Sequence, residues 1–148
     1  MAWQDRFEKI SGEKIHCVYG VWDRDADEWF DNAPMLVVLS SGTLSVKVQS
    51  VGRLTVGWND ILPTEPPVWL DSRQRQELCN GLDWEENLCW KEYGPAARAF
   101  GKLLREIEPI QNVDGLQGVS FWLEPKDCLE IVDVGDAIAG IYVENDEE

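Results

Sequence analysis

Apolar side chains recur along this chain with two different periods, and the places where the period changes mark its elements. Trp3, Phe7 and Ile10 stand at helical spacing ahead of Ser11-Gly12, which predicts a short amphipathic helix over residues 3–10. Residues 14–22, KIHCVYGVW, are β-branched and aromatic. Ile15, Cys17, Tyr19 and Val21 alternate there with His16, Val18, Gly20 and Trp22, which predicts a first strand. Met35 to Leu39 is a short, continuously apolar run, the pattern of a strand covered on both faces. Ser41-Gly42 supplies a hairpin turn, after which Leu44, Val46 and Val48 alternate with polar residues as in a half-solvated strand. Beyond Gly52 the alternation resumes at Leu54, Val56 and Trp58, so these three strands are predicted to form an antiparallel meander.

Residues 59–67, NDILPTEPP, cannot continue a sheet. Asp71 can cap a helix over residues 73–80 that stops at Gly81, whereas LDWEENLCW over 82–90 fits neither period. Pro95 suits the first turn of a helix, and two readings follow it. One long helix would put Ala96, Ala99, Phe100, Leu103 and Ile107 on one face; the preferred reading is a short helix ending near Gly101 and then a strand over 103–110. Val119, Phe121 and Leu123 begin a final run of strands, with turns at 125–127 and at Gly135-Asp136 before strands over 128–134 and 137–143.

The expected fold is therefore α+β in a single domain over 1–148. Its mainly antiparallel sheet of six or seven strands would be strongly bent or barrel-like, with two or three short helices. The expected core comprises Phe7, Ile10, Val37, Leu39, Val46, Val56, Phe100, Phe121, Ile131 and Ile141.

Two stretches carry a resemblance. LVVLSSGTLSVKVQSVGRLTVGW (residues 36–58), together with NVDGLQGVSFWL (112–123) and the closing hairpin through GDAIAGIYV (135–143), is similar to small bacterial domains, some of which accompany polymorphic toxins. The resemblance implies the role of an immunity protein and supplies no functional residues.

Charge then narrows the field. With 28 acidic residues against 13 Lys and Arg, the chain carries a net charge of −15, which phosphate backbones and anionic lipid would repel. Neither nucleic acid nor a membrane is an expected partner; a basic protein is. No apolar run approaches the length of a membrane span, and the opening MAWQDRFEKISGEK is charged where a secretory signal would be apolar, so a cytoplasmic protein with reduced Cys17, Cys79, Cys89 and Cys128 is expected. The acid excess falls in three blocks. Residues 21–31 hold five acids and one base, 61–92 seven and three, and 127–148 eight and none, while 1–20 and 93–126 balance. Trp22, Trp29 and Phe30 lie in the first block and Trp69, Trp84, Trp90 and Tyr93 in or beside the second, and acid mixed with large aromatics suits a surface that attracts a basic partner and then buries an anchor.

Little in the sequence points to catalysis. Asp23, Asp25 and Asp27 have the opening spacing of a calcium loop, but Glu28 and Pro34 stand where its glycine and closing glutamate belong. His16 is the only histidine, which rules out a two-His metal site. On an alternating strand it faces away from Cys17, leaving open only a Cys/His pair with Cys79, Cys89 or Cys128. No nucleophile elbow, phosphate loop or dinucleotide fingerprint is present. The expectation is a non-enzymatic protein-binding inhibitor without metal or cofactor, its partner a basic protein such as a toxin domain, bound through Asp23, Asp25, Asp27, Glu28, Trp29, Asp31, Trp84, Glu85 and Glu86. The alternative is a small-molecule or carbohydrate-binding domain with a Trp-lined pocket.

Overall fold

A computed structural model describes residues 10–30, 33–50, 53–64, 88–113, 115–124, 126–133 and 138–143, with backbone alone at 48–50 and 112. Its strands are β1 (Ile15–Asp23), β2 (Glu28–Trp29), β3 (Met35–Leu39), β4 (Thr43–Ser50), β5 (Arg53–Trp58), β6 (Leu88–Glu92), β7 (Leu104–Asn112), β8 (Gly115–Leu123), β9 (Cys128–Asp133) and β10 (Ile138–Val143). A 3-10 helix, Gly94–Ala99, lies between β6 and β7.

This is a mainly-β fold, which corrects the α+β expectation: the described residues form two antiparallel sheets, neither closed, in place of one bent or barrel-like sheet with helices. The expected helices over 3–10 and 73–80 lie outside the described residues, Ile10 excepted. The short helix after Pro95 is a single 3-10 element, and the strand preferred after Gly101 is present as β7. Gly101 has φ +85°, where the chain leaves helical geometry, and its backbone is then taken up by the segment around β1. The Gly101 N–H donates to the Ile15 carbonyl at 2.7 Å, Ile15 N–H to Lys102 at 2.9 Å and Leu104 N–H to Glu13 at 2.8 Å.

In the first sheet β3, β4 and β5 form the expected meander, and Met35–Leu39 has the expected bounds. Trp22 pairs with both Trp29 and Cys89, and Tyr19 with both Leu36 and Glu92; β6 therefore holds one edge of β1 while β2 and then β3 hold the other. β6 comes from the stretch whose periodicity predicted nothing. A register shift between Ile15 and Cys17 also alters β1. The expected face Ile15, Cys17, Tyr19, Val21 is broken, and Ile15 shares the main core with Val18 instead. The second sheet is a meander in sequence order, β7 to β10.

Both sheets contribute to one core, with Val37, Leu44 and Val46 from the first packed with Ile107, Val119, Phe121, Leu129 and Ile131 from the second. Of the expected core, Ile10, Val37, Leu39, Val46, Phe121 and Ile131 are buried, and Val56 and Phe100 are half-buried against it. Ile141 is not core. It is 45% exposed, because β10 turns Ile138 and Tyr142 inward and so places position 141 on the outer face. Phe7 lies outside the described residues.

The outer face of the first sheet is closed in part. Leu36 and Ser45, paired on that face, are fully buried, so β4 is not half-solvated there. Behind β5 the chain turns back at Asn59 (φ +57°), whose side-chain oxygen accepts the Thr43 N–H at 2.8 Å. Asp60 then lies against Gly57, where any Cβ would stand 2.2 Å from its carboxylate, and accepts hydrogen bonds from Ser45 Oγ (2.7 Å) and Lys47 Nζ (3.1 Å). Burial alone would raise the Asp60 carboxyl, but these two donors outweigh it and hold the group below its ordinary range.

A second polar cluster joins the start of β7 to the far hairpin. Lys102 Nζ donates to Asp127 Oδ2 and to Tyr142 Oη, each at 2.6 Å, and the Tyr142 hydroxyl donates to the same Asp127 oxygen. The hydrogen bond to Asp127, then that to Tyr142, raises the Lys102 ammonium, while burial followed by the bond to Asp127 raises the Tyr142 phenol. Both groups keep their protons at neutral pH, so the cluster acts as a latch. No described helix is long and apolar enough to cross a membrane.

Candidate functional site

The acidic segment forms a tight hairpin at the end of β1. Asp23 pairs with Glu28 across it, and Asp23 Oδ1 accepts the N–H groups of Asp25 (3.0 Å) and Ala26 (3.1 Å), a local carboxylate-capped turn. Asp27 closes the turn at φ +56°, a conformation Asp tolerates better than most residues. Residues 24–28 are all exposed. Asp23 and Asp27 thus serve the turn itself, whereas the like charges of Asp23 and Glu28, opposed across the hairpin, work against it.

Beneath the tip lies an aromatic stack. Trp22 meets Trp29 edge-on at 5.0 Å and 88°, and Trp29 meets Tyr93 at 4.9 Å and 60°. Lys91 of β6 sets its ammonium 3.7 Å from the centroid of Trp22 and 5.8 Å from that of Trp29. Gly20 forms the floor; a Cβ there would stand 3.1 Å from both the Trp29 and the Tyr93 ring. At the other end the Gly140 N–H donates to Tyr93 Oη at 3.4 Å, so the stack runs from the hairpin to the second sheet. On the opposite face of β1, Val21, Ala33 and Leu88 form a separate small cluster with Phe30 and Trp90.

The structure thus gathers Asp23, Asp25, Asp27, Glu28 and Trp29 at one corner, with Trp29 half-buried as part of the packing. Asp31, Trp84, Glu85 and Glu86 lie outside the described residues. Lys91 was missed from sequence, because only the β1–β6 pairing brings it, and Tyr93 with it, to the hairpin. The described Trp residues are all half-buried but do not converge on one hollow. Trp58 packs on the main core, Trp90 on the small cluster, and Trp122 on the far sheet. The recess between Gly20, Trp29, Phe30, Met35, Tyr93 and Ile138 is shallow, with a volume of about 10 Å³, and opens to solvent.

Cation and nucleophile chemistry find little support in the geometry. No group of three or more His, Cys, Asp or Glu side chains suited to a metal ion occurs among the described residues. His16 is exposed, its Nε2 3.2 Å from Ser40 Oγ. Cys17, Cys89 and Cys128 are free thiols, and burial pushes those of Cys17 and Cys128 up, the latter to about 11. A thiol raised in this way is a poor nucleophile at neutral pH. No family model, curated protein or solved structure matches the chain.

Proposed function

We propose that this chain is a non-enzymatic cytoplasmic inhibitor that binds a basic protein, in the manner of an immunity protein covering a toxin domain. The observation that carries the reading is the hairpin corner: three exposed carboxylates, Asp25, Asp27 and Glu28, with the half-buried Asp23 at the base of their turn, over an aromatic stack on which an ammonium already rests. The carboxylates steer a cationic partner at long range, and the stack offers its Lys or Arg side chains a rigid aromatic surface on contact. Against the ligand-binding alternative, the recess encloses only about 10 Å³, room for about one water molecule, and the described Trp residues are dispersed.

The test is association kinetics with a purified basic partner, such as the product of a toxin gene adjoining this one. Neutralising the tip with Asp25→Asn, Asp27→Asn and Glu28→Gln lowers the on-rate at low salt by about tenfold or more. The difference vanishes near 1 M salt, where the Debye length is about 3 Å. An on-rate indifferent to both salt and substitution would leave the acidity as a solubility feature and defeat the reading.

A further inference from the structure

The second sheet has an outer face that the hairpin reading does not use. Its register aligns Glu106 with Trp122, Glu108 with Ser120 and Glu130, and Glu130 with Ile141. The same face continues through Cys128 and Val143 and through the row Ile110, Gly118, Val132 and Ala139; Gly118, Ser120 and Cys128 are buried along its middle, and the exposed Arg105 stands in the bulge between Leu104 and Glu106. Ile141 and Val143 are 45% and 41% exposed, two of the few large apolar side chains so exposed among the described residues. Trp122 is half-exposed and held in place, its indole N–H donating to Glu108 Oε2 at 2.9 Å.

We infer that this face is a docking surface for a basic amphipathic helix of a partner protein. Apolar and aromatic side chains alternate here with three carboxylates. A helix with an apolar stripe between rows of Lys or Arg presents the complementary pattern. The dimensions agree. Four strands at about 4.8 Å spacing make a platform about 14 Å across, and a helix is about 10–12 Å wide. Glu108 and Glu130 stand two strands apart, about 10 Å, and so bracket a helix laid over Ser120. Glu108 lies on the edge strand β7 and Glu130 on β9, on either side of Ser120 in one row of the register. Because Trp122 is already fixed by its hydrogen bond, docking costs little ordering there. A second copy of this chain does not suit the face, since it would bring carboxylates against carboxylates on a molecule of charge −15.

The probe is a synthetic Leu/Lys peptide of about 18 residues with Leu at helical spacing, titrated into the full-length protein and followed by backbone amide NMR. A Lys peptide of equal charge without the Leu stripe is the comparison. Shifts confined to β7–β10, at least tenfold weaker binding to Glu108→Gln/Glu130→Gln and to Ile141→Ser/Val143→Ser, and weaker binding of the comparison peptide are expected. Equal binding of the two peptides, or no binding at about 1 mM, would overturn the inference. So would loss of binding on Asp25→Asn/Asp27→Asn/Glu28→Gln with shifts at the hairpin, a result that moves the site to the corner and leaves the proposed function standing. Concentration-dependent dimerisation abolished by Ile141→Ser would assign the face to a second copy instead.

Discussion

The outer faces of the two sheets differ in which positions they leave to solvent. On the first, Leu36 and Ser45 are wholly shielded, with the segment behind β5 folded over it and Asp60 tied to Ser45 and Lys47. On the second, Ile141 and Val143 remain open to solvent beside Glu106, Glu108 and Glu130. The strands on the two faces are comparable in length and β-propensity. What differs among the described residues is that the chain turns back at Asn59 and ties Asp60 to Ser45 and Lys47 on the first face, whereas on the second Ser120 and Cys128 are buried and the outer positions Ile141 and Val143 are not.

Substitutions can break that comparison. Leu36→Ala in the closed face is expected to cost about 2–5 kcal/mol in urea unfolding, the range of buried aliphatic truncations. A cost near zero would show that the face is open. Ser45→Ala, which takes a donor from the Asp60 carboxylate, should cost about 1–3 kcal/mol. Acid sharpens this second case. Asp60 has a folded pKa below its ordinary 3.8, so its contribution is present above that value and is lost as pH falls through the lower folded one. Asp60→Asn should flatten that part of the stability profile, and an unchanged acid limb would remove the carboxylate from the account.

The second sheet responds at the other end of the pH scale. Lys102 and Tyr142 both have raised folded pKa values, so their stabilisation is complete below about pH 10 and is lost as pH rises through those values. Tyr142→Phe should cost about 1 kcal/mol at neutral pH and weaken the alkaline fall, as read by unfolding at pH 8 and at higher pH. The smallest effect belongs to the open face. Ile141→Ser should change stability by no more than about 0.5 kcal/mol. A loss comparable to that of Leu36→Ala would mean that Ile141 is packed.

Where neighbouring residues decide the structure, the sequence was readable. Met35–Leu39, the meander that follows it and the strands from β8 to β10 came from alternation and turn residues alone. The corner acids were equally legible, since residues 23–28 share one hairpin whatever the rest of the chain does. Distant partners hid the remainder. LCWKE became β6 only by pairing with β1, and Lys91 and Tyr93 reached the aromatic stack with it. The bulge at Ile15/Cys17 displaced a face that strict alternation had assigned, and Asp60 closed a strand whose pattern looked half-solvated. Charge counted in blocks concealed the second sheet's acidic face. Glu106 and Glu108 lie in a balanced block, and only alternation along β7 places them on one side with Glu130.

Strand order also sets a schedule. The second sheet pairs only consecutive strands, so successive hairpin closures, each on the order of microseconds, can build it. β1 must find β6 across about half of the chain, with Tyr19 beside Glu92, and a longer loop makes that closure entropically dearer and slower. Trp29 meets Tyr93 only when β6 arrives. The surface beneath the acidic tip is therefore finished late, on a second sheet that local closures can assemble beforehand.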